Sequence, residues 1–248
     1  MISVCVATHN GEKYILEQLN SILSQISATD EVIISDDGST DSTLQLITSL
    51  SDHRIKVFHY NQKISYQKKK YPSYYYASAN FHNALLSASG DFIFLSDQDD
   101  IWELDKVKIV MSYLLRYDII CSNFSVINES GIFLQDRFFY EKMFESSSFI
   151  DMIRYLPFRG CCLAFNKSVL KNSLPFPKYL FLHDCWIGLN ALFSGYKYFY
   201  IDDPLIQYRR HTENVSSLSS PNNIFFKIYY RAVLILQILL FKFSRKFL

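Results

Sequence analysis

The sequence contains few of the residues that interrupt regular secondary structure. Of its 248 residues, 7 are glycine and 6 are proline, and no segment is repetitive or of low complexity. Disordered and solenoid chains are rich in such features, so the sequence argues against both classes. Hydrophobic residues make up 49% of the chain, which is ample for a buried core. We therefore expect a folded chain throughout, organised as one domain with an appendage.

Cysteine is also scarce, and its spacing forms no metal or disulfide pattern. The five cysteines are odd in number and include no CxxC pair. They predict neither a disulfide framework nor a zinc site, so we expect reduced, buried thiols. The first residues, MISVCVATHNG, also lack the basic segment, long apolar stretch and cleavage site of a secretion signal. Both observations favour a cytoplasmic protein.

Neither sign of charge is in excess, and long uncharged runs are missing. The chain has 25 basic and 24 acidic residues, a formal net charge of +1. Nucleic-acid-binding proteins usually show a strong basic excess, so we expect no nucleic-acid partner. The longest uncharged run in the C-terminal segment, Ala232–Phe241, has ten residues. Crossing a bilayer takes about 20 residues, so this run is too short.

Short apolar runs alternate with segments of helical periodicity in the first half of the chain. The predicted strands are Ile2–Ala7, Glu31–Ser35, Ile55–Tyr60 and Phe92–Leu95. This alternation predicts an α/β fold with a mostly parallel central sheet flanked by helices. From about residue 118 the rhythm changes, with strands in DIICSNFSVI, GCCLAF and LIQYRRH and a helix in LHDCWIGLNALF. We expect this half to complete the sheet and form the second wall of a cleft.

Polar clusters follow three of the predicted strands. They are Thr8–Glu12, Asp36–Asp41 and Asp97–Asp100. Ligands of open α/β sheets bind beyond the carboxyl ends of the strands, so the three clusters together predict a ligand site. Each cluster alone is also typical of an ordinary turn. In the second cluster, we expect Asp41 to cap the helix that follows.

The densest cluster is SDQDD, in which Asp97, Asp99 and Asp100 lie close together. Carboxylates this close repel each other unless a cation compensates them. Mg²⁺ and Mn²⁺ take oxygen ligands and keep positions open for substrate phosphates. Asp97 and Asp99 therefore predict a metal that binds a diphosphate. An aspartate can instead cap a helix, a role that suits Asp100.

Six segments in chain order carry a resemblance to a known family. They are SVCVATHNGEKYILEQLNSILSQ, EVIISDDGSTDST, NFHNALLSASGDFIFLSDQDDIWELDKV, RGCCLAFNKSVL, HDCWIGLNALFSG and YRRHTENVSS. Together, over residues 2–217, they resemble family 2 glycosyltransferases of the GT-A fold. SDQDDIW with YRRH is similar to bacterial rhamnosyltransferase-like members. The resemblance implies a GT-A domain over 1–220, with a nucleotide-binding half at about 1–117 and an acceptor half at about 118–220.

The resemblance also implies which residues contact the donor. The nucleotide would lie against the first strand end and the DDGS turn, at Ala7, Thr8, Asn10, Glu12, Asp36 and Asp37. Asp97 and Asp99 would bind Mn²⁺ or Mg²⁺ on the diphosphate, and Asp97 and Gln98 would also lie against the donor. His211 in YRRH matches a third metal ligand, the alternative being a loop histidine near the phosphates.

The family's catalytic carboxylate matches Asp184 in HDCW. As a general base, Asp184 would deprotonate the acceptor hydroxyl. The alternative is an acidic residue that favours the N-terminus of a helix. Many family members have glutamate where this chain has His183. The arginine of their ARN motif is absent here, since Ala79-Asn80 is preceded by Ser78. The absence of this arginine weakens the expectation that residues near Asn80 contact the donor.

Other residues have two interpretations each. Arg209 or Arg210 suits a diphosphate, and strand alternation allows only one of them to point inward. Trp102 and Trp186 are either core residues or platforms for a sugar ring. Gly160 in RGCC either lets the backbone approach the sugar closely or forms an ordinary turn.

The implied activity is that of an inverting, metal-dependent glycosyltransferase. It would move a sugar, rhamnose being one candidate, from a dTDP-, UDP- or GDP-linked donor to a hydroxyl of a bacterial capsule, O-antigen or exopolysaccharide intermediate. That acceptor is expected to be a glycan, with a lipid-linked form as one option. A sugar nucleotidyltransferase is an alternative, although ATHNGEKY lacks its glycine- and lysine-rich phosphate loop. A non-enzymatic, membrane-associated scaffold is the third, and it would not need the acidic cluster.

Two segments stand apart from the motifs. Residues 222–248 are mostly apolar, contain no acid and carry scattered basic residues, which predicts an amphipathic basic helix over 221–248. We expect it to lie on the inner leaflet of the cytoplasmic membrane, the alternatives being packing on the domain or a dimer contact. The stretch 61–76 is long for a connection and predicts a loop. Its Lys68–Lys70 run is either a solvated face or a phosphate contact.

Overall fold

The computed structural model describes residues 1–60, 73–138, 149–180, 182–212, 214 and 224–245. The Lys68–Lys70 run and the predicted boundary at residues 220 and 221 lie outside these ranges. Within them, nine strands form one sheet, and helices flank it.

The first four strands form a parallel half-sheet. They are β1 (Ile2–Thr8), β2 (Glu31–Asp36), β3 (Ile55–His59) and β4 (Phe92–Ser96), in the spatial order β3-β2-β1-β4. β1 pairs in parallel with β2 and β4, and β2 pairs in parallel with β3. Every residue of β2 is buried, as expected for a parallel strand covered on both faces. The connecting helices are α1 (Ile15–Leu23), α2 (Thr43–Ser49) and α3 (Ser73–Leu86).

Beyond β4 the sheet is mixed. The order continues with β8 (Leu163–Asn166), β6 (Ile119–Asn128), β9 (Tyr198–Arg210) and β5 (Ile101–Trp102), while β7 (Phe133–Gln135) pairs with β6 off this path. β8 is antiparallel to both its neighbours, and β6 and β9 are parallel. The predicted parallel sheet therefore describes the first four strands, and β8 joins the two halves. The sequence pattern does not predict β5 and β7, which have two and three residues.

The remaining helices lie in the second half. They are α4 (Lys106–Leu114), α5 (Phe149–Tyr155), α6 (Lys167–Ser173), α7 (His183–Phe193) and α8 (Ile224–Arg245). Residues Gly160–Cys162 form a 3₁₀ turn, so the strand expected in GCCLAF begins only at Leu163. The loop expected over 61–76 is also too long, because α3 begins at Ser73 and buries the ring of Tyr76.

One hydrophobic core runs through both halves of the sheet. Both tryptophans belong to it: Trp186 is fully buried and donates from Nε1 to the Ser173 carbonyl at 2.9 Å, and Trp102 is buried beside Phe94. The interpretation of either tryptophan as a sugar platform is therefore wrong. The five cysteines are buried and form no disulfide, which confirms the expectation of reduced thiols.

The C-terminal helix α8 has two apolar faces. One packs on the domain: Leu234 and Ile238 are buried, and Phe241 meets Trp186 edge to face with ring centroids 5.1 Å apart. The other is exposed along the helix and comprises Ile224, Phe225, Ile228, Tyr229, Leu236, Leu239, Leu240 and Phe243. By length and composition alone, Ile224–Ser244 could cross a membrane, although the sequence pattern predicted that it lies on one. We call the exposed set the open face of α8.

Candidate active site

A cavity of about 670 Å³ opens at the carboxyl ends of β1, β2 and β4. The structure brings ten of the eleven predicted site residues to its wall: Ala7, Thr8, Asn10, Glu12, Asp37, Asp97, Gln98, Asp99, Asp184 and His211. The eleventh, Asp36, lies outside the wall. Residues from the second half of the chain complete the cavity, as expected for the second wall of a cleft.

Asp36 builds the turn that presents Asp37. Its carboxylate accepts hydrogen bonds from the backbone N–H groups of Gly38 and Ser39, at 3.1 and 3.0 Å, and from the Ser39 hydroxyl. Gly38 has φ +72°, a conformation that glycine adopts without strain. The expected contact of Asp36 with the nucleotide is therefore corrected to a turn-forming role.

Asp37 is the carboxyl group of this turn that reaches the cavity wall. Burial, together with the negative charge of Asp36, raises the pKa of Asp37 to about 7. At neutral pH this group can either donate or accept a hydrogen bond, which suits the edge of a base or a ribose hydroxyl.

The loops after β1 and β2 hold each other in place. The Asn10 side chain accepts from the Thr40 N–H at 2.8 Å, and the Glu12 carboxylate accepts from the Ser42 N–H at 2.8 Å. In return, the Asp41 carboxylate accepts from the N–H of Glu12 at 3.1 Å and from that of Thr43, at the start of α2, at 3.0 Å. The predicted helix-capping role of Asp41 is thus supported. Asn10 and Glu12 line the cavity and also fix its shape.

Gln98 ties the loop after β4 to the loop after β1. Its Oε1 accepts from the Thr8 hydroxyl at 2.6 Å and from the His9 N–H at 2.8 Å, and its Nε2 donates to the His9 carbonyl at 3.1 Å. A Cβ atom at Gly11 would lie 2.6 Å from Gln98 Oε1, so only glycine leaves room for this side chain. Gln98 therefore positions its neighbours Asp97 and Asp99.

Asp99 and His211 meet at the cavity wall. His211 Nε2 lies 2.7 Å from Asp99 Oδ2, and Asn214 Nδ2 lies 3.3 Å from the same oxygen. The ring of Tyr14 packs on His211 with centroids 5.1 Å apart. The structure thus brings together the carboxylate and imidazole that the family resemblance paired. It adds Asn214, which follows the YRRH motif and was not predicted.

Asp97 belongs to a second, more buried group. Ligand atoms of Asp97, Asp100 and Cys161 all lie within 4.8 Å of one another. Burial, with the charges of Asp99 and Asp184, raises the pKa of Asp97 to about 7, and burial raises that of Asp100 well above its ordinary value. This part of the site carries excess negative charge that a cation would relieve.

Asp100 does not cap a helix. Its Oδ1 accepts from the Arg209 N–H at 3.0 Å, and α4 begins only at Lys106. Asp100 therefore fastens the loop after β4 to β9, which corrects the predicted capping role.

Asp97, Asp99 and His211 line one cavity, whereas the ligand atoms that lie within 4.8 Å of one another among the described residues are those of Asp97, Asp100 and Cys161. Two carboxylates and one imidazole are ligands that Mn²⁺ accepts, and the carboxylates alone suit Mg²⁺. The raised pKa of Asp97 points the same way, because the site favours positive charge, either a proton or a metal ion.

Asp184 lies in the first turn of α7 and on the cavity wall. Its Oδ1 accepts from the Cys185 N–H at 2.7 Å, so it does interact with the helix N-terminus. Its charge also contributes to the raised pKa of Asp97, so the two carboxylates act on each other. Asp184 therefore both interacts with the N-terminus of α7 and lies on the cavity wall.

His183 packs beside Asp184 and explains Gly160. The imidazole stacks on Phe81 with centroids 4.3 Å apart, and its Nδ1 lies 3.3 Å from the Ser78 hydroxyl. Burial lowers the pKa of His183, which favours the neutral ring. A Cβ atom at Gly160 would lie 2.9 Å from His183 Nε2. The absence of a side chain at Gly160 thus leaves room for the histidine, and because Gly160 itself lines the cavity, its close approach to a sugar stays a prediction.

The arginine near the cavity is not one of the two that the YRRH motif suggested. Arg209 points inward, but its guanidinium bonds to Glu17 at 2.5 Å and to the carbonyls of Asp99 and Glu129 at 2.9 and 3.1 Å. It braces the loop after β4 and does not line the cavity. Arg159, just before the 3₁₀ turn, does line it. Arg159 is the first residue of the RGCC segment, in which only Gly160 was predicted to act at the site.

Asn80 keeps a place at the site without the arginine that precedes it in many relatives. Its side chain lines the cavity and donates to the Thr8 carbonyl at 3.1 Å.

Solved structures of similar fold confirm the GT-A architecture. Staphylococcus aureus TarS 1–349 in complex with UDP-GlcNAc superposes with TM-score 0.68 at 23% identity, over 95% of this chain and 66% of that one. Mycobacterium tuberculosis glucosyl-3-phosphoglycerate synthase, in complex with Mn²⁺, UDP and phosphoglyceric acid, gives TM-score 0.56 at 20% identity, over 85% and 71%. At these identities the likeness establishes the fold only.

Curated relatives of similar length are glycosyltransferases. The chain is 27% identical to the dTDP-rhamnosyl transferase RfbG of Shigella flexneri over 91% of its own length and 77% of the relative's. It is 28% identical to the Escherichia coli UDP-Glc:alpha-D-GlcNAc-diphosphoundecaprenol beta-1,3-glucosyltransferase WfgD over 77% and 70%. The family model for Glycosyl transferase family 2 matches residues 3–174, more than half of the chain. The chain therefore belongs to glycosyl transferase family 2 and is a glycosyltransferase of the GT-A fold.

Proposed function

We propose that the protein is an inverting, metal-dependent glycosyltransferase that extends a bacterial surface-polysaccharide intermediate. The observation that carries the proposal is the meeting of Asp97, Asp99, His211 and Asp184 at one cavity beside the loops of β1 and β2. Neither alternative from the sequence accounts for this arrangement. A scaffold needs no such cluster, and the family match supports sugar transfer over nucleotide transfer.

Each part of the cavity has a chemical task in this reaction. Asp37, with Ala7, Thr8, Asn10 and Glu12 around it, contacts the nucleoside. Asp97, Asp99 and His211 would hold Mn²⁺ or Mg²⁺, which when bound would supply Lewis-acid stabilisation of the charge on the departing diphosphate. Asp184 accepts the proton of the acceptor hydroxyl as that oxygen attacks the anomeric carbon.

The donor is a nucleoside-diphosphate sugar of the UDP-, dTDP- or GDP-linked class. One relative is named for dTDP-rhamnose and another for UDP-glucose. Rhamnose is therefore one candidate. The acceptor is a glycan hydroxyl, and a lipid-diphosphate-linked glycan is suggested by the acceptor in the name of the Escherichia coli relative.

A panel of nucleotide sugars with and without Mn²⁺ tests this proposal. We expect one nucleotide class to raise the melting temperature in the presence of Mn²⁺, and the corresponding sugar nucleotide to release nucleoside diphosphate when acceptor is added. No stabilisation by any UDP-, dTDP- or GDP-linked sugar, together with no transfer, would contradict the proposal.

We also propose that α8 attaches the enzyme to the cytoplasmic face of the membrane. The support is the open face of α8, which has exposed aromatic and aliphatic side chains along the whole helix. Lys227, Arg231 and Lys242 give α8 positive charge, and the helix contains no acid. Such a helix binds the interface of an anionic bilayer.

Substitution of the open face tests this attachment better than deletion of the helix. Deletion would uncover Trp186, whereas replacing Phe225, Leu236 and Leu240 by serine leaves the packed face intact. We expect the wild type to float with phosphatidylglycerol vesicles and the triple variant to stay in the soluble fraction. A matched control replaces the exposed residues Leu104, Leu115 and Ile132 by serine. Equal flotation of both variants would contradict the attachment.

A further inference from the structure

Arg159 holds a positive charge at the cavity wall on a rigid support. The residue has extended backbone and immediately precedes the 3₁₀ turn Gly160–Cys162. Its guanidinium lies over the rings of Phe124 and Phe138, 5.8 and 5.6 Å from their centroids. These rings stack on each other at 4.6 Å. Cation–π contact therefore fixes the group without using its hydrogen-bond donors.

The donors of Arg159 have no acceptor among the residues that the structure describes. No described side chain or carbonyl accepts a hydrogen bond from its guanidinium, and no described carboxylate lies within 4.0 Å of it. Arg209 and Arg54 are different, because each bonds to a carboxylate and to backbone carbonyls. A half-buried guanidinium with five N–H donors and no acceptor is suited to an anionic ligand.

The charges around Arg159 indicate where that anion would lie. Arg159 lines the same cavity as the carboxylates Asp97, Asp99 and Asp184. Its positive charge opposes the effects of burial and of the nearby carboxylates on Asp97. A diphosphate bound in this cavity would meet a guanidinium whose fork matches phosphate oxygens.

We propose that Arg159 binds a phosphate group of a substrate diphosphate. This inference rests on the proposed function and adds a residue to it. Two substrates can supply such a group: the nucleoside-diphosphate donor and a lipid-diphosphate acceptor. Arg159 shares its cavity with the loops after β1 and β2 that are proposed to contact the nucleoside, which favours the donor. In that case the arginine stabilises the departing diphosphate from the side of the 3₁₀ turn.

Calorimetric binding of matched nucleotides to two variants tests the donor arm. The variants are Arg159→Met, which keeps the apolar stem, and Arg159→Lys, which keeps the charge but loses the fork. With Mn²⁺ present, we expect Arg159→Met to weaken the binding of the cognate nucleoside diphosphate (UDP, dTDP or GDP) by about 10- to 100-fold. The corresponding monophosphate should change less than about threefold, and Arg159→Lys should fall between wild type and Arg159→Met.

Arg154→Met is the matched control. Arg154 is exposed on α5, with its guanidinium over the Tyr155 ring at 5.4 Å, and lies outside the cavity wall. Its replacement removes the same charge and a similar cation–π contact, so it should leave nucleotide binding unchanged. If Arg159→Met fails to fold, as judged by its melting temperature, Arg159→Lys carries the test.

The acceptor arm uses α-D-GlcNAc-diphosphoundecaprenol and octyl α-D-GlcNAc as probes. A weaker interaction of Arg159→Met with the diphosphate probe alone, at unchanged nucleotide affinity, would assign the arginine to the acceptor. Equal changes for monophosphate and diphosphate, or no change with any probe, would overturn the proposal. If the wild type transfers sugar and both Arg159 variants bind every probe normally, the proposed role of Arg159 is wrong but the proposed function still holds. A wild type that binds no nucleotide would end the proposed function itself.

Discussion

The two walls of the cavity differ in how their polar groups are satisfied. On the wall built from β1, β2 and β4, side chains such as Asn10, Glu12 and Gln98 already bond to neighbouring loops. On the opposite wall, Arg159 and the Nε2 atom of His183 have no hydrogen-bond partner among the described residues. The first wall is thus a preorganised frame, and the second has capacity left for a ligand.

This difference separates residues that shape the site from residues that act on the substrate. A frame whose hydrogen bonds are complete loses shape when one member is removed, because its partners are left unsatisfied. Removal of a group that has no protein partner abolishes only its contact with the ligand. Substitutions on the two walls should therefore affect stability and activity in different proportions.

The largest effect is expected at the junction of the walls, where Asp99 meets His211. Asp99→Ala removes a proposed metal ligand, so transfer should fall by about a thousandfold or more, and Mn²⁺ should no longer strengthen nucleotide binding. Asp105→Ala is the control, because that carboxylate is exposed near the start of α4. Mn²⁺-dependent nucleotide binding that persists in Asp99→Ala would disprove the metal assignment.

Asp184→Asn tests the second wall with a nearly isosteric change. It removes the proposed base but keeps an oxygen for the Cys185 N–H, so kcat should fall by about 10²- to 10⁴-fold while the nucleotide dissociation constant stays the same. Steady-state kinetics and calorimetry give the two quantities separately. A normal kcat would show that another group accepts the proton.

Asp37→Asn should weaken binding and stabilise the free protein at the same time. The pKa of Asp37 is raised by burial and by Asp36 to about 7, so folding opposes its ionisation. The free energy of unfolding therefore falls as pH rises from about 4, the ordinary value, to about 7. We expect Asp37→Asn to melt higher than wild type at pH 8, to differ little at pH 4, and to bind nucleoside diphosphate about tenfold more weakly.

Equal melting temperatures of Asp37→Asn and wild type at pH 8 would show that the carboxylate is better solvated than its burial suggests. Tighter nucleotide binding by the variant would instead remove Asp37 from the proposed contacts.

Gly160→Ala should have the smallest effect, and it tests packing on the second wall. The new Cβ would lie 2.9 Å from His183 Nε2, so the variant should lose about 1–3 kcal/mol of unfolding free energy. The double variant Gly160→Ala, His183→Ala removes the clash and should recover part of that loss relative to His183→Ala alone. Additive losses in the two single variants would show that the contact is not the cause.

The sequence predicted the frame well because its signals are local. Strands β1 to β4 are apolar runs bounded by turns, and a carboxylate at a strand end lies at the ligand edge whatever the rest of the chain does. Asp97 and Asp99 needed no further information, whereas the choice of Asp37 within its cluster came from the family resemblance. Pairing of His211 with Asp99 came from the family resemblance, because 112 positions separate the two residues.

Partners across the fold were not predictable in the same way. Strand alternation correctly limits Arg209 and Arg210 to one inward side chain, but it says nothing of Glu17, which takes the guanidinium. Arg159 depends on two aromatic rings from other segments, and Gly160 depends on a histidine from α7. Each requires the packed tertiary structure, which a single sequence does not display.

In the proposed function, the hydrogen bonds between Gln98 and the loop after β1 would couple metal binding to nucleotide binding. Gln98 belongs to the loop after β4 and bonds to the loop after β1. A metal ion that orders Asp97 and Asp99 would therefore also restrict the motion of the end of β1, which is proposed to contact the nucleoside. Thermodynamic reciprocity then applies: the factor by which Mn²⁺ tightens nucleotide equals the factor by which nucleotide tightens Mn²⁺. Gln98→Ala should reduce both factors equally, even though it removes no charged group that either ligand would contact.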